Sequence, residues 1–115
     1  MLSAITTHVL DTARGCPASG VRVALEQADS NDSWRVVGRG VTDSNGRLHS
    51  LLPDSIDLVP GTYRLFFDTG AYFQAQGVRA FFPHVVVTFE VSETTGHYHV
   101  PLLLSPFGYS TYRGA

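Results

Sequence analysis

Short apolar runs that alternate every second residue recur along this chain, and they restrict its fold to one built from β-strands. In residues 21–25, 62–67 and 85–91, the large apolar side chains fall on one face of an extended segment. Further β-rich runs lie at residues 4–10, 34–41, 97–105 and 109–113. A length of 115 residues allows one domain. We therefore predict a single all-β domain over residues 1–115, a β-sandwich of seven to eight antiparallel strands.

One segment departs from this pattern, since residues 69–76 are typical of a short helix. Thr69 is predicted to cap this helix and Gly77 to end it. A tight turn is predicted at residues 43–46, Asp-Ser-Asn-Gly, because asparagine and glycine tolerate a positive φ. The sequence thus predicts a sandwich that carries one helix of about two turns.

The composition excludes several classes of function. All eight basic residues are arginine and the net charge is −2, so the chain has no basic stripe that would bind nucleic acid. The absence of lysine excludes a Schiff-base lysine and a Walker-type phosphate lysine. No Gly-x-Ser-x-Gly or Cys–His pattern of a nucleophile is present. No apolar run approaches the ~18–20 residues that a membrane span needs, so we expect no contact with a membrane.

The cysteine content indicates the compartment. Cys16 is the single cysteine, so a disulfide within the chain is impossible and a reducing environment is favoured. Patterned sequence follows Met1 directly, with no basic and then apolar leader before it. We therefore expect the protein to be cytoplasmic.

Residues 97–105 form a run that is apolar on both faces of a strand. Tyr98, Val100, Leu102 and Leu104 share one face, whereas Pro101 and Leu103 follow two histidines on the other. Antiparallel sandwich strands usually leave one face in water. This pattern favours a second subunit that covers the outer face, and the alternative is a central strand covered by a loop.

The five histidines are the most informative ionisable residues. His97 and His99 are two residues apart and share a face, and His8 lies in the first predicted strand. These three could form a three-histidine zinc site, although two surface histidines on a strand fit the spacing as well. His49 and His84 are predicted to be solvent-exposed and to have no function.

Arg47 comes directly after the predicted tight turn. Its guanidinium could hold a carbonyl or a carboxylate through two parallel hydrogen bonds. From the sequence alone, a solvated arginine is the simpler interpretation.

Four blocks of sequence make the chain similar to the transthyretin-like family. They are Thr-His-Val-Leu-Asp-Thr at 7–12 with Gly-Cys-Pro-Ala at 15–18, Thr-Asp-Ser-Asn-Gly-Arg at 42–47, Phe-Phe-Pro at 81–83, and His-Tyr-His-Val-Pro-Leu-Leu-Leu-Ser-Pro at 97–106 followed by Gly-Tyr-Ser-Thr-Tyr-Arg-Gly at 108–114. The blocks stretch over essentially the whole chain, in the order that the family has. The last block is long enough to exclude a chance match.

The resemblance implies a transthyretin-like β-sandwich that assembles as a homotetramer, a dimer of dimers, with its sites between subunits. It implies hydrolysis of 5-hydroxyisourate, the unstable product of urate oxidation, without a cofactor or a metal. The alternative is the hormone-carrier branch of the same fold, which binds small molecules without reaction. That branch is expected to lack the active-site histidines, the turn arginine and the Tyr-Arg-Gly tail that this chain carries.

The same resemblance implies roles for individual residues. The catalytic residues it implies are His8, Arg47 and His99, and the substrate-binding residues are Tyr112, Arg113 and Gly114. Ala115 departs from the family pattern, which usually has serine there. Hydrolysis of a cyclic amide needs a base near neutral pKa, which His8 or His99 could supply. It also needs positive charge where the oxyanion develops, which Arg47 could supply.

Overall fold

The computed structural model describes residues 3–115, which fold into two β-sheets and one short helix. In chain order the elements are β1 (Ile5–Asp11), β2 (Cys16–Pro17), β3 (Arg22–Ala28), β4 (Trp34–Val41), β5 (Arg47–Leu48), β6 (Gly61–Phe67), α1 (Thr69–Gln74), β7 (Val85–Val91), β8 (Tyr98–Ser105) and β9 (Gly108–Thr111). One sheet has the strand order β2-β1-β8-β9, with β5 also paired to β1. The other sheet has the order β4-β3-β6-β7.

The core between the sheets is built from the alternating apolar faces that the sequence predicts. Val21, Val23 and Leu25 are buried, as are Tyr63, Leu65 and Phe67 on β6 and the side chains that β8 turns inward. Phe89 on β7 is only half-buried and packs against this cluster from its edge. The predicted β-sandwich is therefore confirmed, because apolar faces of the two sheets meet in one core.

The expectation that all strands are antiparallel is wrong for one pair. β1 and β8 run parallel over seven residue pairs, from Ile5 beside Tyr98 to Asp11 beside Leu104. A two-residue period reveals which face of a strand is buried but not the direction of its neighbour. These two strands are far apart in the sequence, so no hairpin turn forces them to be antiparallel.

The helix begins where the sequence predicts, but its cap is a different residue. Asp68, rather than Thr69, is the N-cap, and its carboxylate accepts the backbone N–H of Ala71. Thr69 is buried within the first turn instead. After α1, Gly77 adopts a φ of +69°, a conformation that favours glycine. No helix within residues 3–115 is long and apolar enough to cross a bilayer.

A buried carboxylate ties α1 to the sheet that contains β1. The Asp11 side chain accepts the Tyr72 hydroxyl at 2.8 Å and the backbone N–H of Arg14 at 3.0 Å. Burial, followed by the hydrogen bond to Asp11, raises the pKa of Tyr72 above its ordinary value. The Tyr72 hydroxyl therefore keeps its proton and satisfies a carboxylate that is 1% exposed.

We expect Tyr72→Phe to lower the free energy of unfolding by about 1–3 kcal/mol, because one buried oxygen of Asp11 loses its donor. Urea unfolding at a fixed protein concentration measures this change. Tyr109→Phe is the matched control, since Tyr109 is exposed and its ring contact with Phe82 survives the substitution. Equal stability of the two variants would contradict a stabilising role for the Tyr72–Asp11 bond.

Candidate active site

A tight turn positions Arg47 at the start of β5. The Asp43 carboxylate accepts the backbone N–H groups of Asn45 at 2.8 Å and Arg47 at 3.0 Å. The hydrogen bond from Arg47, followed by that from Asn45, holds the pKa of Asp43 below its ordinary value. Gly46 has a φ of +74°, and a Cβ there would lie 2.3 Å from the carbonyl oxygen of Val9. The predicted Asp-Ser-Asn-Gly turn is therefore present and closely packed against β1.

Strand pairing brings the three predicted catalytic residues to one face of the first sheet. His8 lies directly across from Arg47 in the β1–β5 pair. On the other side of β1, His99 lies beside Thr6, two residues before His8 and therefore on the same face. From standard strand spacing, the Cα atoms of His8 and His99 are about 8 Å apart.

Within residues 3–115 the Arg47 guanidinium forms no ion pair with a carboxylate. The single ion pair among residues 3–115 joins Arg64 and Glu26 at 2.7 Å, in the other sheet. The Arg47 side chain is exposed. After burial, its positive charge is the second cause that lowers the pKa of His8 and of His99. Such an unpaired cation is available to bind an anionic or carbonyl oxygen of a ligand.

Hydrogen bonds restrict which ring nitrogens of the histidines are free. His8 Nε2 lies 2.9 Å from the carbonyl oxygen of Asn45, and because a carbonyl only accepts, Nε2 carries the hydrogen. Neutral His8 therefore has an unshared electron pair on Nδ1. His99 Nδ1 lies 2.8 Å from the Thr6 hydroxyl, which leaves Nε2 as its remaining ring nitrogen.

Both histidines are poised to be neutral near pH 7. Burial, followed by the Arg47 guanidinium, lowers the pKa of His8 below its ordinary value of 6.5. Burial, then Arg47 and His97, lowers the pKa of His99 in the same way. A neutral imidazole with an unshared pair can accept a proton, so the face combines two bases with one fixed cation.

His49 belongs to the same electrostatic neighbourhood, which the sequence reasoning missed. Its side chain is half-buried, so the prediction of a solvent-exposed residue is wrong. Its Nδ1 is buried without a hydrogen-bond partner, and its charge contributes to lowering the pKa of His8 and of His99. The spacing of two residues from Arg47 is the signal that could have identified it. His84, by contrast, is exposed as predicted and packs against Phe66.

The C-terminal segment closes over His99. The backbone N–H of Gly114 donates to the carbonyl oxygen of His99 at 2.8 Å. A Cβ on Gly114 would lie 2.5 Å from the Cδ2 atom of the His99 ring, so only glycine allows this approach. The Arg113 guanidinium instead lies 4.7 Å from the centre of the Tyr98 ring, and Tyr112 is exposed. Of the predicted substrate-binding residues, Gly114 is thus the one that packs directly on the His99 ring.

A small cavity beside this segment has a volume of about 230 Å³. Tyr112, Arg113 and His99 contribute to its wall. The rest of the wall comes from residues 87–90 of β7 and from Tyr98 and Val100 on the inward face of β8, so the cavity lies between the two sheets rather than on the histidine face.

The sequence also left open a zinc site formed by His8, His97 and His99. Among residues 3–115, no group of three or more His, Cys, Asp and Glu side chains converges as metal ligands. His97 and His99 each direct one ring nitrogen to the Thr6 hydroxyl, and His8 directs one to a backbone carbonyl. One ring nitrogen of each of these three histidines is thus engaged in a hydrogen bond.

Comparison with known proteins links this arrangement to a family. Residues 5–114 match the profile of the HIUase/Transthyretin family. The chain is 48% identical to a probable 5-hydroxyisourate hydrolase of Caenorhabditis elegans, over 98% of this chain and 82% of the relative. Its structure is similar to sea bream transthyretin in complex with thyroxine, with a TM-score of 0.90, 34% identity and coverage of 98% and 96%. It is also similar to Klebsiella pneumoniae 5-hydroxyisourate hydrolase, with a TM-score of 0.83, 33% identity and coverage of 96% and 92%.

Arg47→Gln should raise the pKa values of both His8 and His99, because it removes a cation that disfavours their charged forms. Burial, the larger cause of each lowered pKa, persists in this variant. An NMR titration of the histidine ring protons measures the change. Arg39→Gln, an exposed arginine of the other sheet, should leave both values unchanged. Unchanged titrations in Arg47→Gln would contradict the proximity of these groups.

Proposed function

The chain belongs to the HIUase/transthyretin family, and we propose that it hydrolyses 5-hydroxyisourate to 2-oxo-4-hydroxy-4-carboxy-5-ureidoimidazoline in urate degradation. The observation that carries this proposal is the convergence of His8, Arg47 and His99 on one sheet face. This set supplies the groups that opening a cyclic amide with water requires: a base and a stabiliser of negative charge.

In the first step, a neutral histidine removes a proton from water as the water attacks a ring carbonyl. His8 offers Nδ1 and His99 offers Nε2, and the lowered pKa of each keeps it unprotonated at neutral pH. The proton that the histidine accepts can then be returned to the ring nitrogen as the carbon–nitrogen bond breaks. The carbonyl carbon becomes a carboxylate, and its proton is released to solvent.

Arg47 stabilises the oxyanion that forms when water adds to the carbonyl. Its guanidinium has no competing carboxylate within residues 3–115 and lies across from His8. A permanent cation at this place stabilises negative charge as it develops on the carbonyl oxygen. After burial, the same charge is the second cause of the lowered pKa of both histidines, so Arg47 serves both the base and the transition state.

The C-terminal residues Tyr112, Arg113 and Gly114 hold the substrate ring in this proposal. Tyr112 supports this role, because the pairing of β8 with β9 and with Gly114 places it beside Pro101, on the face that carries His99. Gly114 supports it through the hydrogen bond to the His99 carbonyl, which fixes the tail against the site. Neither step requires the hydroxyl that the family usually has where this chain has Ala115.

The active form in this proposal is a homotetramer, a dimer of dimers, with each site at a subunit interface in the cytoplasm. Leu103 on the histidine face is half-buried within the single chain, so it is an apolar side chain that a partner subunit would cover. Phe107 is 71% exposed at the turn after β8, and a partner subunit would remove this apolar side chain from water. The free thiol of Cys16 fits a reducing compartment. Sedimentation should give a particle four times the 12.5 kDa chain, and a monomer would contradict this assembly.

A carrier without catalysis is the second candidate, because the fold is similar to a transthyretin solved with thyroxine. The two candidates differ in one measurement. Freshly prepared 5-hydroxyisourate should lose its absorbance faster in the presence of the protein if the chain is the hydrolase. Binding of thyroxine with no acceleration of this loss would favour the carrier.

Arg47→Ala should lower turnover of 5-hydroxyisourate by about 100- to 1,000-fold while leaving the fold intact, because the oxyanion loses its fixed cation. The absorbance assay measures turnover and circular dichroism verifies the fold. Arg39→Ala, which removes an exposed arginine of the other sheet, is the matched control and should react at the unchanged rate. Turnover of Arg47→Ala close to that of the control would refute the role of Arg47.

A further inference from the structure

The Thr6 hydroxyl bridges two histidines behind the proposed site. Thr6 is 1% exposed, and its Oγ1 lies 3.0 Å from His97 Nε2 and 2.8 Å from His99 Nδ1. The two imidazole rings are close to parallel, with 14° between their planes and 6.3 Å between their centres. His97 is exposed, so this bridge connects the half-buried His99 to a ring in contact with water.

Because Thr6 is 1% exposed, its single hydroxyl hydrogen is donated within the bridge, and the neutral state then has two arrangements. In the first, His99 Nδ1–H donates to Thr6 and Thr6 donates to His97 Nε2, which leaves an unshared pair on His99 Nε2. In the second, His97 Nε2–H donates to Thr6 and Thr6 donates to His99 Nδ1. His99 Nε2 then carries the hydrogen and cannot accept a proton.

We propose that Thr6 and His97 are positioning residues for hydrolysis, which hold His99 in the tautomer whose Nε2 is free to take a proton from water. This inference rests on the proposed function. When His99 takes the proton at Nε2, its Nδ1–H already points at Thr6, so the bridge needs no rearrangement. The bridge also fixes the ring plane, because Nδ1 is held to β1 while the Gly114 backbone packs on the opposite carbon edge.

The charges around His99 disfavour a state in which both His97 and His99 are protonated. The groups that act on it are Arg47 on β5, His97 directly before β8, His8 on β1 and His49 directly after β5. All of them disfavour a positive charge on His99. Protonation of both His97 and His99 would direct two N–H groups at one oxygen and leave the Thr6 hydrogen without an acceptor.

Thr6→Val tests the bridge directly. Valine removes the acceptor for His99 Nδ1–H, so kcat should fall about 10- to 100-fold, the order that loss of a histidine-orienting partner costs. The KM value should change less than about threefold, because the substrate contacts remain. The acid limb of the pH–rate profile should move to lower pH, since the imidazolium loses a hydrogen bond that stabilises it. Thr6→Ser retains a hydroxyl and should restore both properties.

Thr7→Val is the matched control. Thr7 is the next residue of β1 and equally buried, but its hydroxyl donates to the carbonyl of Val100 at 2.6 Å on the opposite face. The Thr7→Val enzyme should keep the wild-type kcat and pH–rate profile, even where the substitution lowers the free energy of unfolding. If Thr6→Val folds and has the same kcat and pH–rate profile as Thr7→Val, the inference is overturned.

A spectroscopic measurement on the wild-type protein covers the case in which Thr6→Val does not fold. Two-bond ¹H–¹⁵N correlation spectra of the imidazoles report which nitrogen of His99 is protonated, with the signal assigned by its loss in His99→Gln. We expect Nδ1–H in the wild type and a shift toward Nε2–H in His97→Phe, where the Thr6 hydroxyl can turn to His99. Nε2–H in the wild type would overturn the inference. A wild-type protein that does not accelerate loss of 5-hydroxyisourate would instead refute the proposed function.

Discussion

The parallel pairing of β1 with β8 is the contact on which the rest of the site depends. It joins segments that are 93 residues apart at Thr6 and His99, and it sets their register over seven residue pairs. Because side chains alternate along both strands, the same register that buries Val9 and Leu102 turns His8 and His99 outward. A slip of one residue would turn the core side chains outward and the histidines inward. The register that packs the core therefore also assembles the site.

The second property of this face is electrostatic repulsion between Arg47 and the protonated forms of His8 and His99. Arg47 lies beside imidazoles whose charged forms it disfavours, and no carboxylate of the described residues forms an ion pair with it. The nearest acidic residue of the turn, Asp43, is engaged by backbone N–H groups. The arrangement keeps a permanent cation next to neutral bases, a combination that free histidine and arginine in water would not maintain near pH 6.5.

The sequence predicts the faces of the strands well because burial acts on every second residue. Residues 34–41 and 85–91 match β4 and β7 in both bounds, and the tight turn before Arg47 follows from the chemistry of Asn and Gly. Pairing direction and the two-residue strands β2 and β5 were not predictable, since they depend on contacts between distant segments. The Thr6 bridge and the half-buried His49 were missed for the same reason. The resemblance selected His8, Arg47 and His99, whereas spacing alone left a zinc site equally open.

The distance between β1 and β8 along the chain also determines when the protein can become functional during synthesis. At about 5–20 residues per second, a ribosome needs roughly 5–20 s to advance from Thr6 to His99. Throughout that interval one edge of β1 has no partner, and it presents unpaired backbone groups to chaperones or to other nascent chains. Translation must therefore reach the final residues before the sheet can close and the two halves of the histidine face can meet.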